Sequence, residues 1–506
     1  MKQLYLSTLL FLISTLHSEA QQTINATLID SASQNSIPFA TITFNNTNGI
    51  ISNNQGEFSI NLKHQTTEKD SLFISCLGYE SKRLGIQKFN DSIILLSPKT
   101  FELNEILISN KNYSIDEILE KVEENLAENY EFNFSKNKLF YRDSDYTNII
   151  KSDVELKEST IPEINQKFID SLLNTLPENV DNYTEILGTK YGKINNYELQ
   201  KLDIIKASKL YDKNNSFSFH NYEEKINSLI RKHVKRGSYY KVKSGIIGTT
   251  EEINSSVFET KEVKKGLELI KEQKKRTLKQ KENFLKYRRN TITNLECSSF
   301  IFEDANLNFI FKSNKYRFHT LDYAYLEGDV VYKISFNPKR SSDYKGVLYV
   351  DPSDFAVVRL DFENTKSLKK LNLIGLSYNE YLHRGILVYK KNSSGKYGVK
   401  YAEIESGTQI GIKRPFTIIE KNKNTKGRRK QNEVAVKVHF VVKNSSKKEL
   451  VCFESNQITE ASFNNFVEKA EVTPTYLPQY DPEFWKGYNV MEPNQAIKNF
   501  KNAEQQ

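Results

Sequence analysis

Residues 434–443 read Val-Ala-Val-Lys-Val-His-Phe-Val-Val-Lys and give the clearest structural signal in the chain. Every second side chain from Val434 to Val442 is apolar, whereas Lys437 and His439 fall between them. Successive side chains of a β-strand point to opposite faces of the sheet. The alternation therefore predicts a strand with one apolar and one polar face.

The same period of two recurs before this strand. It is present in four stretches, Val330–Phe336, Gly346–Val350, Phe355–Phe362 and Tyr397–Tyr401. Short alternating runs separated by turn residues are typical of antiparallel sheets. We therefore predict an antiparallel β domain over residues 295–459, with eight or more strands in a curved sheet or half-barrel.

The N-terminal part of the chain is also rich in strand signals. Residues 37–44 alternate, Asn53–Gly56 has the composition of a turn, and apolar runs follow at 72–75 and 93–96. Strands of this length at regular spacing indicate a small antiparallel β-sandwich of immunoglobulin-like architecture over residues 21–108. The chain as a whole is thus expected to be mainly β, with some helix and several domains.

Four segments of this region resemble a known family. They are Ile37–Ile42, Asn53–Phe58, Ile74–Tyr79 and Leu103–Ile108. Together they look like the carboxypeptidase-regulatory-like domain, a transthyretin-like β-sandwich that is common in exported proteins of Bacteroidetes-type bacteria. Ala26 departs from the family, which usually has Gly after its first strand residue. The domain is non-catalytic in its family, so the resemblance implies no catalytic residues here.

Between the two β regions, residues 109–294 mix helix and strand signals. Ser114 and Glu117 have the spacing of a capping box, which starts a helix. The apolar residues that follow share one helical face; they are Ile115, Ile118, Leu119, Val122 and Leu126. The remaining length does not fit the ~22-strand barrel of an outer-membrane receptor, a class that often begins with this type of domain.

The first 20 residues predict export. Lys2 supplies a positive charge, Leu4–Leu16 is a short apolar run, and Ser18–Ala20 offers small residues at a cleavage site. This order is that of a secretory signal peptide, so we predict a mature chain from Gln21. No later stretch approaches the ~20 consecutive apolar residues of a membrane-spanning helix. The expected location is the periplasm, the outer-membrane surface or the medium.

Positive charge is concentrated in one stretch. The chain has 72 Lys and Arg against 63 Asp and Glu, a net charge of +9. Lys261–Arg289 holds 12 basic residues against 4 acidic ones, so it carries +8 of that charge. A solvated helix is the simplest interpretation; contact with an anionic envelope surface through Lys274, Lys275 and Arg276, or with a partner protein, are the alternatives. No nucleic-acid partner is predicted for an exported chain.

The sequence offers one weak candidate for a metal site. His220 and Glu223 have the His-x-x-Glu spacing of zinc carboxypeptidases, and His319 is the candidate third ligand. The arginines and the catalytic-glutamate context of those enzymes are missing, so we predict no metal, cofactor or catalytic residue. Asp143 and Asp145 lie in a polar stretch that is interpreted as a turn rather than a calcium loop.

The cysteines and the C-terminal tail complete the picture. Cys76, Cys297 and Cys452 are odd in number and far apart, so no disulfide framework is predicted, and each thiol is expected to be buried. The tail, residues 460–506, is rich in proline and aromatic residues. Trp485 is expected to pack against the preceding domain.

These observations predict a non-enzymatic, exported protein of the cell envelope. It would bind a protein, a glycan or a lipid through its β domains. The alternative is a zinc-dependent carboxypeptidase-like hydrolase or another envelope enzyme.

Overall fold

A computed structural model describes most of the 506-residue chain. The described residues are 22–45, 47–62, 66–86, 89, 92–99, 113–194, 196–212, 220–235, 237–244, 247–252, 284–327, 329–339, 342–422, 427, 429–469 and 472–501. The fold is mainly β, with 54% strand and 16% helix, which confirms the predicted fold class. The predicted signal peptide lies outside the described residues.

The chain divides into two compact units, and neither is continuous in sequence. The first comprises Met1–Asn112, Asp322–Tyr332 and Asp481–Lys498. The second comprises Tyr113–Leu321, Lys333–Tyr480 and Asn499–Gln506.

The first unit contains two small sheets that form a sandwich-like arrangement. Its strands are β1 (Gln22–Asp30), β2 (Thr41–Phe44), β3 (Thr47–Ile51), β4 (Glu57–Leu62), β5 (Ser71–Ser75), β6 (Lys82–Gly85) and β7 (Ile93–Leu96). One sheet has the order β4-β1-β7 and the other the order β3-β2-β5-β6. Strand β1 is antiparallel to β4 and parallel to β7.

Alternating side chains and one glycine shape this sandwich. Phe58, Ile60 and Leu62 alternate along β4 and are all buried, so they contribute one face to the core. Gly56 precedes β4 with a φ of +78°, a backbone conformation that side chains with a Cβ resist. A Cβ at this position would also lie 2.6 Å from the carbonyl oxygen of Leu28. The turn predicted at Asn53–Gly56 therefore requires glycine at its end.

The C-terminal segment Asp481–Lys498 belongs to the first unit and not to the preceding β domain, against which Trp485 is expected to pack from the sequence. The backbone N–H of Asn61 donates to Asn489 Oδ1 at 2.7 Å, and Lys498 Nζ lies 2.7 Å from Glu57 Oε2. Trp485 is buried within a short 3-10 helix, Pro482–Trp485, as expected of a packing residue. A one-turn helix, Gln495–Lys498, follows.

The second unit is built on one large sheet. The strands of this sheet are β8 (Ser135–Ser159), β9 (Asn179–Gly192), β10 (Gln200–Tyr211), β11 (Ser238–Ser244), β12 (Ile247–Glu252), β13 (Tyr316–Leu326), β14 (Asp329–Pro338), β15 (Tyr344–Val350), β16 (Val357–Asn364), β17 (Lys369–Leu373), β18 (Leu376–Lys391), β19 (Tyr397–Asn422), β20 (Lys430–Gln457) and β21 (Thr475–Leu477). The parts of β13 and β14 that fall within Asp322–Tyr332 are counted with the first unit. The main path of the sheet is β13-β14-β15-β16-β18-β19-β20-β8-β9-β10-β21. The sheet is curved and does not close into a barrel. Strands from both sides of residue 294 thus share one sheet.

The helices of the second unit are few and mostly short. They are α1 (Ile115–Asn129), α2 (Gln166–Leu173), α3 (His220–His233), α4 (residues 284–297) and α5 (Glu460–Asn465). The capping box predicted at the start of α1 is confirmed, because Ser114 accepts from the backbone of Glu117 and Glu117 accepts from the backbone of Ser114. In the described part of the chain, no helix is long and apolar enough to cross a membrane.

Candidate ligand-binding face

The functional candidates lie on one face of the large sheet, which we call the inner face. Residues directly opposite each other on paired strands point to the same side, as do residues two apart on one strand. Ile404, Lys448, Asp143 and Thr184 are directly opposed in turn across β19, β20, β8 and β9. They mark the inner face, and the alternate positions along each strand extend it in both directions.

The proximal half of the inner face lies next to α4 and is filled by aromatic side chains. Tyr389 of β18 contacts Tyr130 and Phe300 edge-on, with ring centroids 5.3 and 5.7 Å apart. Phe309 stacks on Phe336 at 4.2 Å. All five rings are buried, so this half of the face is a packed core rather than an open concavity.

A buried ion pair ties α4 to the sheet at the edge of this core. The guanidinium of Arg288 donates to Asp143 Oδ2 and, at 3.1 Å, to Thr184 Oγ1. Lys448 Nζ lies 3.8 Å from the other oxygen of Asp143. The turn predicted at Asp143 and Asp145 is therefore wrong, because both residues lie inside β8 and the charge of Asp143 is neutralised by neighbouring cations rather than by a loop-bound ion.

The opposite, outer face of the same strands carries a second buried charge network. Arg142 Nη2 lies 2.7 Å from Glu185 Oε1, and its Nη1 lies 3.9 Å from Glu449 Oε2. Glu403 lies 2.8 Å from Lys447 Nζ, and burial raises the pKa of the Glu403 carboxyl above its usual value. Arg142 and Asp143 point to opposite faces of β8, and both side chains are buried. The centre of β8 is therefore covered on both faces.

A cavity of about 320 Å³ opens beside the proximal core. Its lining includes Tyr197, Cys297, Asp304 and His383. His383 is half-buried, and its Nδ1 lies 3.0 Å from the hydroxyl oxygen of Tyr344. Burial lowers the pKa of this imidazole below its usual value. The volume is at the lower end of the ~300–1,000 Å³ that small-molecule sites occupy.

Cys297 Sγ donates to the carbonyl oxygen of Ile194 at 3.0 Å, and burial raises the pKa of this thiol. The three cysteines are all free. Cys76 and Cys452 are buried as expected, whereas Cys297 is only half-buried because it borders the cavity.

The distal half of the inner face is mostly apolar and only half-buried, and we call its apolar residues the apolar zone. Arg414, which is buried and opposed to Val438, and Ser152, which is opposed to Phe440, interrupt it. Its members on β19, β20 and β8 are Ile410, Ile412, Phe416, Ile418, Val434, Val436, Val438, Phe440, Val442, Ile149, Val154 and Leu156. Ile410 and Ile418 are 44% and 45% exposed, and the rest are intermediate. The apolar face predicted from residues 434–443 is the β20 part of this zone.

The residues that the sequence analysis named as candidate ligands are not brought together in the part of the chain that the structure describes. His319 lies on β13 with an exposed side chain, whereas His220 and Glu223 belong to α3 and their side chains lie outside the described residues. No group of three metal-binding side chains occurs among the residues that the structure describes. Lys274, Lys275 and Arg276 also lie outside the described residues, so both hypotheses stay predictions.

The family comparison concerns the first unit. Residues 24–108 match the CarboxypepD_reg-like domain. The chain carries such a domain at its N-terminal end. The matched range agrees with the resemblance predicted from the sequence and includes all four segments that carry it.

Comparisons of the whole chain with curated proteins and solved structures identify no relative from which a function can be transferred. No curated protein matches the chain. A putative outer membrane lipoprotein-sorting protein domain from Vibrio parahaemolyticus is 12% identical, with 68% of this chain and 95% of that chain covered, at a TM-score of 0.19. The Pseudomonas aeruginosa MucA/MucB complex is 5% identical, with 63% and 92% covered, at a TM-score of 0.13. TM-scores this low give no basis for transferring a fold or a function.

Proposed function

We propose that this protein is a non-enzymatic binding protein of the bacterial cell envelope that holds the acyl chain of a lipid on its apolar zone. The half-exposed apolar zone of the large sheet carries the proposal. Contiguous exposed apolar surface is uncommon in monomeric proteins beyond a few hundred Å² and marks an interaction site.

The surroundings of the apolar zone favour an amphipathic ligand. Towards the proximal core, the inner face becomes polar, with Thr408, Ser406 and Asn444 next to Ile410 and Val442. A lipid placed along the strands would lay its hydrocarbon on the apolar zone and its polar group on these side chains. The signal peptide predicted at Met1–Ala20 and the CarboxypepD_reg-like domain both suit an envelope protein.

The proposal is tested by fluorescence titration of the full chain with a dansyl-labelled undecanoic acid, followed by displacement with palmitate. Phe440→Asn places a polar group in the centre of the apolar zone. Burial of one large apolar side chain contributes ~1.5–3 kcal/mol, and ~1.4 kcal/mol is tenfold in affinity, so binding should weaken about tenfold. His439→Asn, on the neighbouring residue of the same strand but on the other face, should bind like the wild type.

Three results would overturn the proposal. The first is a wild-type chain that does not bind the probe, and the second is equal binding by the two variants. The third is a concentration-dependent dimer that Phe440→Asn abolishes, which would assign the apolar zone to a second copy of the chain.

A further inference from the structure

A two-residue turn in the second unit departs from the usual residue preferences. Strands β17 and β18 form a hairpin in which Leu373 is directly opposed to Leu376, with Ile374 and Gly375 between them. Both turn residues have positive φ, +48° and +75°. Such turns favour Asn or Asp at the first position and Gly at the second, and a β-branched residue with positive φ is an outlier.

The second turn position obeys the rule for a structural reason. A Cβ on Gly375 would lie 2.2 Å from the carbonyl oxygen of Lys413, and the backbone N–H of Lys413 donates to the carbonyl of Gly375 at 2.7 Å. The turn is therefore anchored on β19. Ile374 has no such packing, because its side chain is 58% exposed. The isoleucine therefore strains the backbone of this exposed turn without adding buried contacts to it.

The turn lies at the end of an exposed apolar cluster, which we call the hairpin tip. Its members are Leu371, Leu373, Ile374 and Leu376, with exposed fractions of 54%, 58%, 58% and 44%. Single exposed apolar residues are ordinary, but four exposed apolar side chains within residues 371–376 of one hairpin mark an interaction surface.

Three basic side chains flank the hairpin tip. Lys369 and Lys370 begin β17, and Lys413 lies beside the turn on β19. All three are exposed. Lys369 is directly opposed to Glu380 across the hairpin, whereas Lys370 is opposed to the uncharged Asn379. An apolar projection flanked by exposed lysines is complementary to an anionic lipid surface, where the apolar side chains enter the acyl boundary and the lysines meet the headgroups.

We infer that the hairpin tip docks the protein on the surface of an anionic lipid bilayer. The hairpin tip continues the row of the apolar zone, because Leu376 is directly opposed to Ile412. The inference nevertheless goes beyond the proposed function, since it concerns a bilayer surface, and a fatty-acid titration of Ile374→Asn that matches the wild type keeps the two proposals separable. Bound in this way, the chain would lie on the bilayer without crossing it.

The test is co-sedimentation of the full chain with phosphatidylglycerol vesicles, compared with phosphatidylcholine vesicles. The Ile374→Asn variant is decisive, because Asn suits the positive φ of this position while removing the apolar side chain. We expect it to lower partitioning onto phosphatidylglycerol about tenfold while keeping or raising the melting temperature. Ile205→Asn makes the same change at an isoleucine that is 47% exposed on β10 and should leave partitioning unchanged.

A second variant tests the charges. Replacing Lys369, Lys370 and Lys413 with Gln should weaken the preference for phosphatidylglycerol over phosphatidylcholine. It should also reduce the salt dependence between about 0.01 M and about 1 M, a range over which the screening length falls from ~30 Å to ~3 Å.

The inference is overturned if the wild type does not bind phosphatidylglycerol vesicles at low salt, or if Ile374→Asn binds as well as the wild type. It is also overturned if Ile205→Asn weakens binding as much as Ile374→Asn. If vesicle binding is absent and the tip variants instead abolish a dimer in solution, the hairpin tip belongs to a protein interface.

Discussion

The two halves of the inner face use the same strands but reach different degrees of burial. In the proximal half, Tyr141, Ala402 and Leu450 are 0%, 0% and 1% exposed. In the distal half, Val442 on the same strand as Leu450 is half-buried, and Ile410 on the same strand as Ala402 is 44% exposed. The difference teaches that alternating residues within a strand create an apolar face. Whether that face is buried depends on a segment from elsewhere in the chain that packs on it.

The largest expected effect comes from breaking the contact that holds α4 on the proximal half. Arg288→Met leaves the carboxylate of Asp143 buried without its main partner, and breaking a buried pair costs ~3–5 kcal/mol. Urea unfolding followed by circular dichroism measures the loss. The matched control is Arg384→Met, which removes an exposed pair with Glu405 and should cost less than ~1 kcal/mol. Equal losses in the two variants would contradict the distinction.

A second comparison truncates one phenylalanine in each half. Phe309→Ala removes a ring that is 0% exposed and stacked on Phe336, so the free energy of unfolding should fall by ~3–5 kcal/mol. Phe440→Ala removes a half-exposed ring of the apolar zone and should cost about 1 kcal/mol. If Phe440→Ala is as destabilising as Phe309→Ala, the distal half is as tightly packed as the proximal half.

A smaller effect is expected at the free edge of the distal half. Beyond Asn148, β8 no longer pairs with β9, and the side chain of Gln166 instead bonds the backbone N–H of Leu156 at 2.7 Å and the carbonyl of Val154 at 2.9 Å. Gln166→Ala should cost ~0.5–1.5 kcal/mol and expose a strand edge that can pair with another chain. Analytical ultracentrifugation should then show more self-association than in the wild type, whereas an unchanged distribution would show that the edge is protected otherwise.

The smallest effect is a pH dependence at His383, between the two halves. Burial lowers the pKa of His383 in the folded chain below its usual 6.5, so the unfolded chain binds the proton more readily. Stability from this group is therefore present above about pH 6.5 and is lost as the pH falls below that value. His383→Gln should flatten the fall in urea midpoint between neutral and mildly acidic pH. A variant whose pH profile matches that of the wild type would exclude this contribution.

Much of the fold could be predicted because it depends on local pattern. Residues 434–443 predicted β20 and its apolar face, and the spacing of Ser114 and Glu117 predicted the start of α1. The N-terminal sandwich followed from turn residues such as Gly56, whose conformation is a local property. The β19 part of the apolar zone has a local signal too, because Ile410, Ile412, Phe416 and Ile418 alternate, although Arg414 interrupts the pattern.

The candidate site could not be predicted in the same way because it depends on distant pairing. Asp143 meets Arg288 only because α4 lies on the inner face, and the separation of 145 residues leaves no trace in either local sequence. The polar stretch Arg142–Asp145 resembled a turn because its charges are unusual in a strand. Their partners, which come from β9, β20 and α4, make that strand stable.

The C-terminal segment of the first unit has a consequence for the order of events during synthesis. Asn53 and Glu57 bond Pro493 and Lys498, at separations of 440 and 441 residues. At ~5–20 residues per second, these partners leave the ribosome roughly 20–90 s after the strands that they contact. The N-terminal strands of the first unit are therefore made first, but the unit is completed only when Asp481–Lys498 has been made. For a chain predicted to carry a signal peptide, this delay postpones the completion of its N-terminal unit until almost the whole chain has been made.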